Sequence, residues 1–170
     1  MRRVLVLLCV LAAACGEDDG PCGQPRYTGS ATDEAWRSLV DARGQVTAGG
    51  AQAPVFTAPT SGSVVPATGS AMRITWSSPL ARKPVGVRAP HLPPVTDDVY
   101  LVEISIAGEM CPVDLMTTEL EWQLDADEWA AVQAAAPGTV TVNVIAAYLI
   151  ENRISEGPFV PATPLSLRVE

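Results

Sequence analysis

Polar and apolar positions along the chain change their rhythm three times. Val4 to Ala14 is an unbroken apolar run behind Arg2 and Arg3, and it ends abruptly at Cys15 and the polar stretch Gly16-Glu-Asp-Asp-Gly20. Residues 16–31 are rich in Gly, Pro and acidic side chains without any apolar period, which predicts a solvated spacer. From Thr32 to Gly44 the pattern becomes helical. Thr32 is a suitable N-cap, Asp33 and Glu34 favour the positive helix end, and Gly44 can stop the helix. Trp36, Leu39 and Val40 fall at i, i+3 and i+4 and form one apolar stripe, which can face the side of a following domain or dock a partner. Gln45 to Ala53 reads as a second linker.

From Pro54 onward the period is two. Met72, Ile74 and Trp76 alternate with Arg73, Thr75 and Ser77; Tyr100, Val102, Ile104 and Ile106 alternate with Leu101, Glu103, Ser105 and Ala107. Leu120, Trp122 and Leu124 alternate with Glu119, Glu121 and Gln123. Val140, Val142 and Val144 alternate with Thr139, Thr141 and Asn143, running on through Ala146 and Tyr148, and Leu165, Leu167 and Val169 alternate with Ser166, Arg168 and Glu170. Runs of this kind, separated by Gly and Pro, predict half-buried antiparallel strands, and two stacked sheets would give each apolar row a partner. A helical interlude is expected at Asp125 to Ala135, before Pro137-Gly138. The expected fold class is therefore an all-β antiparallel sandwich over residues 54–170, preceded by a leader (1–14) and by a tether with one short helix (15–53).

The N-terminal run is too short to cross a bilayer as a helix, which takes roughly 20 residues, but it suits a secretory h-region of about 7–15. Leu11-Ala12-Ala13-Ala14-Cys15 resembles the lipobox of bacterial lipoproteins, departing from it in having Ala12 where the family prefers Leu. Cys9 fits less well, because the large Leu8 precedes it. The resemblance implies cleavage before Cys15, acylation of that residue by two or three chains, and a mature protein held on a membrane of the bacterial envelope. Two or more chains anchor stably where one does not. The bland alternative is an ordinary cleaved signal with Cys15 incidental to it.

The formal charge of −8 becomes more negative once Arg2 and Arg3 are removed, which argues against nucleic acid and against an electrostatic hold on anionic lipid. Of the four cysteines, Cys22 and Cys111 would remain after cleavage and acylation. An exported location permits them to pair; free or intermolecular thiols are the alternative.

Ala71-Met-Arg-Ile-Thr-Trp76-Ser-Ser-Pro79 and Pro137-Gly-Thr-Val-Thr-Val-Asn-Val-Ile-Ala146 resemble the second and sixth strands of fibronectin type III or immunoglobulin-like domains. Ala58-Pro-Thr-Ser-Gly62 resembles the entry into such modules. The family's corner Tyr has no counterpart, since Val140 stands near its place, and the proline-rich segment 79–94 reads as an insertion.

Candidate chemistry is sparse. His91 is the one histidine, placed in a proline loop. The chain carries no nucleophile elbow, no phosphate loop and no Cys/His metal spacing. Asp125, Asp127 and Glu128 stand where cadherin-like sandwiches carry calcium ligands, with Asp97 and Asp98 as further oxygen donors; the bland reading is that Asp125 caps a helix and the other two favour its positive end. The expected function is a non-catalytic binding or assembly module that needs no cofactor, on a lipid-anchored envelope protein facing periplasm or cell surface. Its partner would be another envelope protein or a saccharide, met by a sheet edge or by the insertion with Arg82, Lys83, Arg88 and His91. A calcium-dependent adhesion module and a carboxylate-based hydrolase are the other two expectations.

Overall fold

The structure, a computed structural model, describes residues 21–80 and 94–170. In chain order the described elements are β1 (Arg26–Tyr27), α1 (Asp33–Asp41), β2 (Thr47–Ala48), β3 (Val55–Ala58), β4 (Val64–Val65), β5 (Arg73–Ser77), β6 (Asp98–Ile106), β7 (Val113–Thr117), β8 (Glu121–Gln123), α2 (Ala126–Gln133), β9 (Gly138–Ile150), β10 (Arg153–Val160) and β11 (Leu165–Val169). They form an eight-stranded sheet with the order β1-β7-β6-β9-β10-β2, β11 pairing with both β9 and β4, and a three-stranded sheet β3-β5-β8. The two sheets stack as a sandwich around one core.

The centre of the large sheet is the antiparallel pair β6/β9, in register from Asp98↔Tyr148 to Ile106↔Val140. The opposite edge of β9 is shared: β11 pairs with its first half and β10 with its second. The expected alternation holds on the inner face, where Tyr100, Val102, Ile104, Val140, Val142, Val144 and Ala146 are buried against Ile74, Trp76 and Trp122 of the small sheet. Trp76 and Tyr100 meet edge to face across this core, with ring centroids 5.7 Å apart. α2 closes one end of the sandwich with Trp129 and Val132. Its start is fixed by a reciprocal capping box between Asp125 and Glu128.

The outer face of the large sheet is not the wet face that an alternating pattern implies. Val99, Leu101, Met116, Ile145, Ala147, Leu149 and Val160 form a second buried cluster with Ala35, Trp36 and Leu39 of α1. The helix starts at Thr32, whose hydroxyl accepts from the Ala35 amide, and its apolar stripe lies against the sheet. Gly44 does not end it: the helix stops at Asp41 and a 3-10 turn, Arg43–Gln45, follows.

Four further departures have physical causes. Arg26–Tyr27 and Thr47–Ala48, inside stretches expected to be linkers, add as parallel edge strands to β7 and β10; two-residue pairings leave no period to read. β7 escapes the alternation rule because Leu115 and Met116 are buried in opposite cores. β10 is masked by two register shifts against β9 and by Gly157, whose φ is +94° and where a Cβ would lie 2.9 Å from the Ala146 carbonyl oxygen. Leu120, expected inward, precedes β8 and is 36% exposed.

Leu39 is fully buried between helix and sheet. Leu39→Ala is expected to cost about 2–5 kcal/mol in urea denaturation, whereas Val46→Ala, at an exposed position beyond the helix, should change stability by less than about 0.5 kcal/mol. Equal small effects would mean that α1 is not part of the folded core.

Candidate functional site

Three surface features carry polar or apolar groups that the core does not consume. The first is a groove of about 410 Å3 between β3, the turn after it, and the segment 161–164 that interrupts the β10–β11 edge. Pro54, Val55, Phe56, Pro59, Pro161 and Leu165 are among its lining residues. β3 is an edge strand of the small sheet, and Val55 is 59% exposed on it. A surface with proline walls, a free strand edge and an exposed branched apolar side chain suits an extended peptide segment.

The second feature is a polar clamp between the sheets. The Arg26 guanidinium of β1 donates to both oxygens of Glu128, at 2.7 and 3.0 Å, and lies 3.6 Å from Asp125. Glu128 also accepts from the Trp122 indole and from the Asp125 amide. Asp125 in turn accepts from the amides of Asp127 and Glu128. The carboxylates of Asp125 and Glu128 are therefore engaged in helix capping and in an ion pair. At Asp97 and Asp98, the Asp97 carboxylate accepts from the Asp98 amide and Asp98 is buried at the start of β6. Among the described residues no group of three or more His, Cys, Asp and Glu is arranged to hold a metal ion.

The third feature is a pair of acids on the outer face of the large sheet, below the end of α1. Glu103 of β6 stands opposite Asp114 of β7, with Asn143 of β9 on its other side. Arg43 reaches Glu103 at 2.5 Å from the turn after the helix. Burial, and then the negative charge of Glu103, push the Asp114 carboxyl up to about 7 against the pull of Arg43. Burial also raises Glu103, again opposed by Arg43. Neither the apolar groove nor the smaller cleft beside Arg26 and Trp122 is lined by these acids. Deep in the core, burial raises the Tyr100 phenol, with a hydrogen bond to Ser78 opposing and the nearby Asp98 and Asp97 adding to the rise. This keeps Tyr100 neutral.

The expected disulfide is present. Cys22 and Cys111 are bonded with Cα atoms 5.2 Å apart and close a separation of 89 residues. Cys15 and the segment residues Arg82, Lys83, Arg88 and His91 lie outside the described residues. The segment leaves and re-enters the fold at Leu80 and Val95, both buried, the first in the inter-sheet core and the second under α1. No helix among the described residues is long and apolar enough to cross a membrane. The groove and the acid pair were not legible in the sequence, since both arise from strand neighbours far apart in the chain. No known protein family matches the chain, and neither a curated protein nor a solved structure does.

The acid pair generates a pH dependence of definite sign. A carboxyl whose folded-state pKa lies above its unfolded value binds its proton better in the fold, so its contribution is complete below about pH 4 and is lost as pH rises through about 7. The urea midpoint should accordingly fall between pH 5 and pH 8. Asp114→Asn should flatten that fall and raise the midpoint at pH 8; an unchanged slope in this variant would remove Asp114 as its source.

Proposed function

We propose that this protein is a lipid-anchored component of a bacterial envelope whose sandwich is a non-catalytic binding or assembly module. The observation that carries the binding part is the apolar groove along the edge of β3, which offers both backbone and side-chain complementarity to a strand of another envelope protein. The anchoring part rests on the apolar run ending at Cys15, and the Cys22–Cys111 bond agrees with an oxidising compartment.

The finer fold assignment is a fibronectin type III or immunoglobulin-like sandwich. In its favour, Trp76 fills the inter-sheet core from the middle strand of a three-stranded sheet, and the chain passes between the sheets after β5, β7 and β8. Catalysis by paired carboxylates receives less support: Glu103 and Asp114 are neighbours on a sheet face, outside both the groove and the smaller cleft. A calcium-dependent module is disfavoured by the helix-capping and ion-pair roles that Asp125 and Glu128 already have.

Cys15→Ser is expected to move the protein from the membrane to the soluble fraction, or to leave it unprocessed, when envelope fractions are compared by immunoblot and mass spectrometry. Unchanged acylation would reject the anchor. For the groove, a photocrosslinking residue at Val55 in native envelopes should recover one partner in fixed proportion, while the same residue at the exposed Arg73 on β5 should not. Equal recovery from both positions would reject the groove as the contact.

A further inference from the structure

The disulfide and the turn that carries it determine which end of the domain can lie near a membrane. Cys111 sits in the connection between β6 and β7, whose residues Ala107 to Met110 are all exposed. Cys22, itself exposed, is bonded to it there, so the chain joins the folded domain at this pole. From Cys22 it continues to β1, which runs parallel to β7 and away from the turn.

Cys22 lies seven positions on from Cys15, and a fully extended chain of that length spans at most about 25 Å. Without the bond, the first attachment of the N-terminal segment would be β1 at Arg26, eleven residues on, and the limit would rise to about 40 Å. The bond thus removes a large part of the slack between an acylated Cys15 and the sandwich. Beside it on the same turn, Met110 is 84% exposed, the most exposed of the large hydrophobic side chains among the described residues. An unbranched, polarizable thioether suits an irregular apolar surface such as the boundary of a bilayer. The opposite pole has one exposed large hydrophobic side chain, Ile150, at 47% exposure, and is otherwise polar. It holds Asp97 and the turn Glu151–Asn152, linked through hydrogen bonds from the Leu149 amide to the Asp97 carbonyl and from the Glu151 amide to Thr96. Along β6 the two poles stand about 27 Å apart.

We infer that the β6–β7 turn, Ala107–Pro112, is the membrane-facing pole of this protein, clamped there by Cys22–Cys111 so that Met110 meets the lipid surface to which Cys15 is anchored. This rests on the anchor reading given above and adds an orientation to it. The β9–β10 turn then faces the aqueous space, with the Asn152 amide bonded to the Val95 carbonyl beneath it. The groove along β3 lies between the two poles, since its lining residue Leu165 pairs with Val142 of β9.

The test uses the full chain, matured through its own signal and reconstituted into phosphatidylcholine vesicles that contain a headgroup-spin-labelled lipid. A fluorescent amino acid replaces Met110 or, in a second variant, Glu151. Quenching by the spin label should be several-fold greater at 110 than at 151. In the double variant Cys22→Ser/Cys111→Ser, the quenching at 110 should fall toward that at 151. Acylated protein with equal quenching at the two positions, or with more at 151, would overturn the orientation while leaving the anchor intact. A mass spectrum showing unmodified Cys15 would overturn the anchor, and the orientation with it. Retention of the full difference in the double variant would overturn the clamp.

Discussion

The fold depends on one demand: the β6/β9 pair at the centre of the large sheet is apolar on both faces. Tyr100, Val102, Ile104, Val140, Val142, Val144 and Ala146 need a cover on one side, and Val99, Leu101, Ile145, Ala147 and Leu149 need one on the other. A half-buried antiparallel sheet would leave the second set in water. The small sheet supplies the first cover and α1 the second. The helix is therefore a layer of the domain, and the strands on either side of it in sequence, β1 and β2, dock on opposite edges of the sheet it covers.

That arrangement explains why the N-terminal segment is tied down so many times. α1 has nine residues, too few for stable helicity in isolation, so its order comes from packing. Thr32 caps it, two short parallel strands bracket it, and the disulfide fixes the chain before it. In the chain-entropy picture, closing a loop of this size contributes about 4–5 kcal/mol by restricting the unfolded state. The Arg26–Glu128 pair adds a link from β1 to the helix that seals the sandwich end. Glu128 is the more buried member of that pair and accepts from Arg26, the Trp122 indole and the Asp125 amide.

Much of the architecture was readable wherever one face of a strand is buried and the other is wet. β5, β11 and the first half of β9 follow the alternating rows, and α1 and α2 follow from Thr32 and Asp125 as caps. The signal weakens where tertiary context overrides it. Leu101 occupies a polar-row position in β6, yet it is buried because α1 lies over it; nothing within 98–106 encodes that cover. β10 lost its period to Gly157 and two register shifts. The groove was invisible for a different reason: Pro54 to Ser61 and Pro161 to Leu165 are about a hundred residues apart and meet only through the sandwich. The acid pair is likewise a product of cross-strand register, with Glu103 and Asp114 eleven positions apart and neither unusual in its own segment.

The edges of the sheets bear on the binding role proposed above. β1, β2 and β4 are two residues each, too short to template another strand. β3 is the longer exception, and it is bounded by Pro54 and Pro59, neither of which has an N–H to donate. A register shift between Phe56 and Ala58 against β5 further limits its regular edge. A partner strand adding there can pair over about four residues and no more, so affinity has to come from side chains that fit between Val55 and the walls formed by Pro161 and Leu165. In the proposed binding role, discrimination at this edge would thus fall to the groove rather than to the backbone, and the short edge would offer little to a second copy of the same sheet.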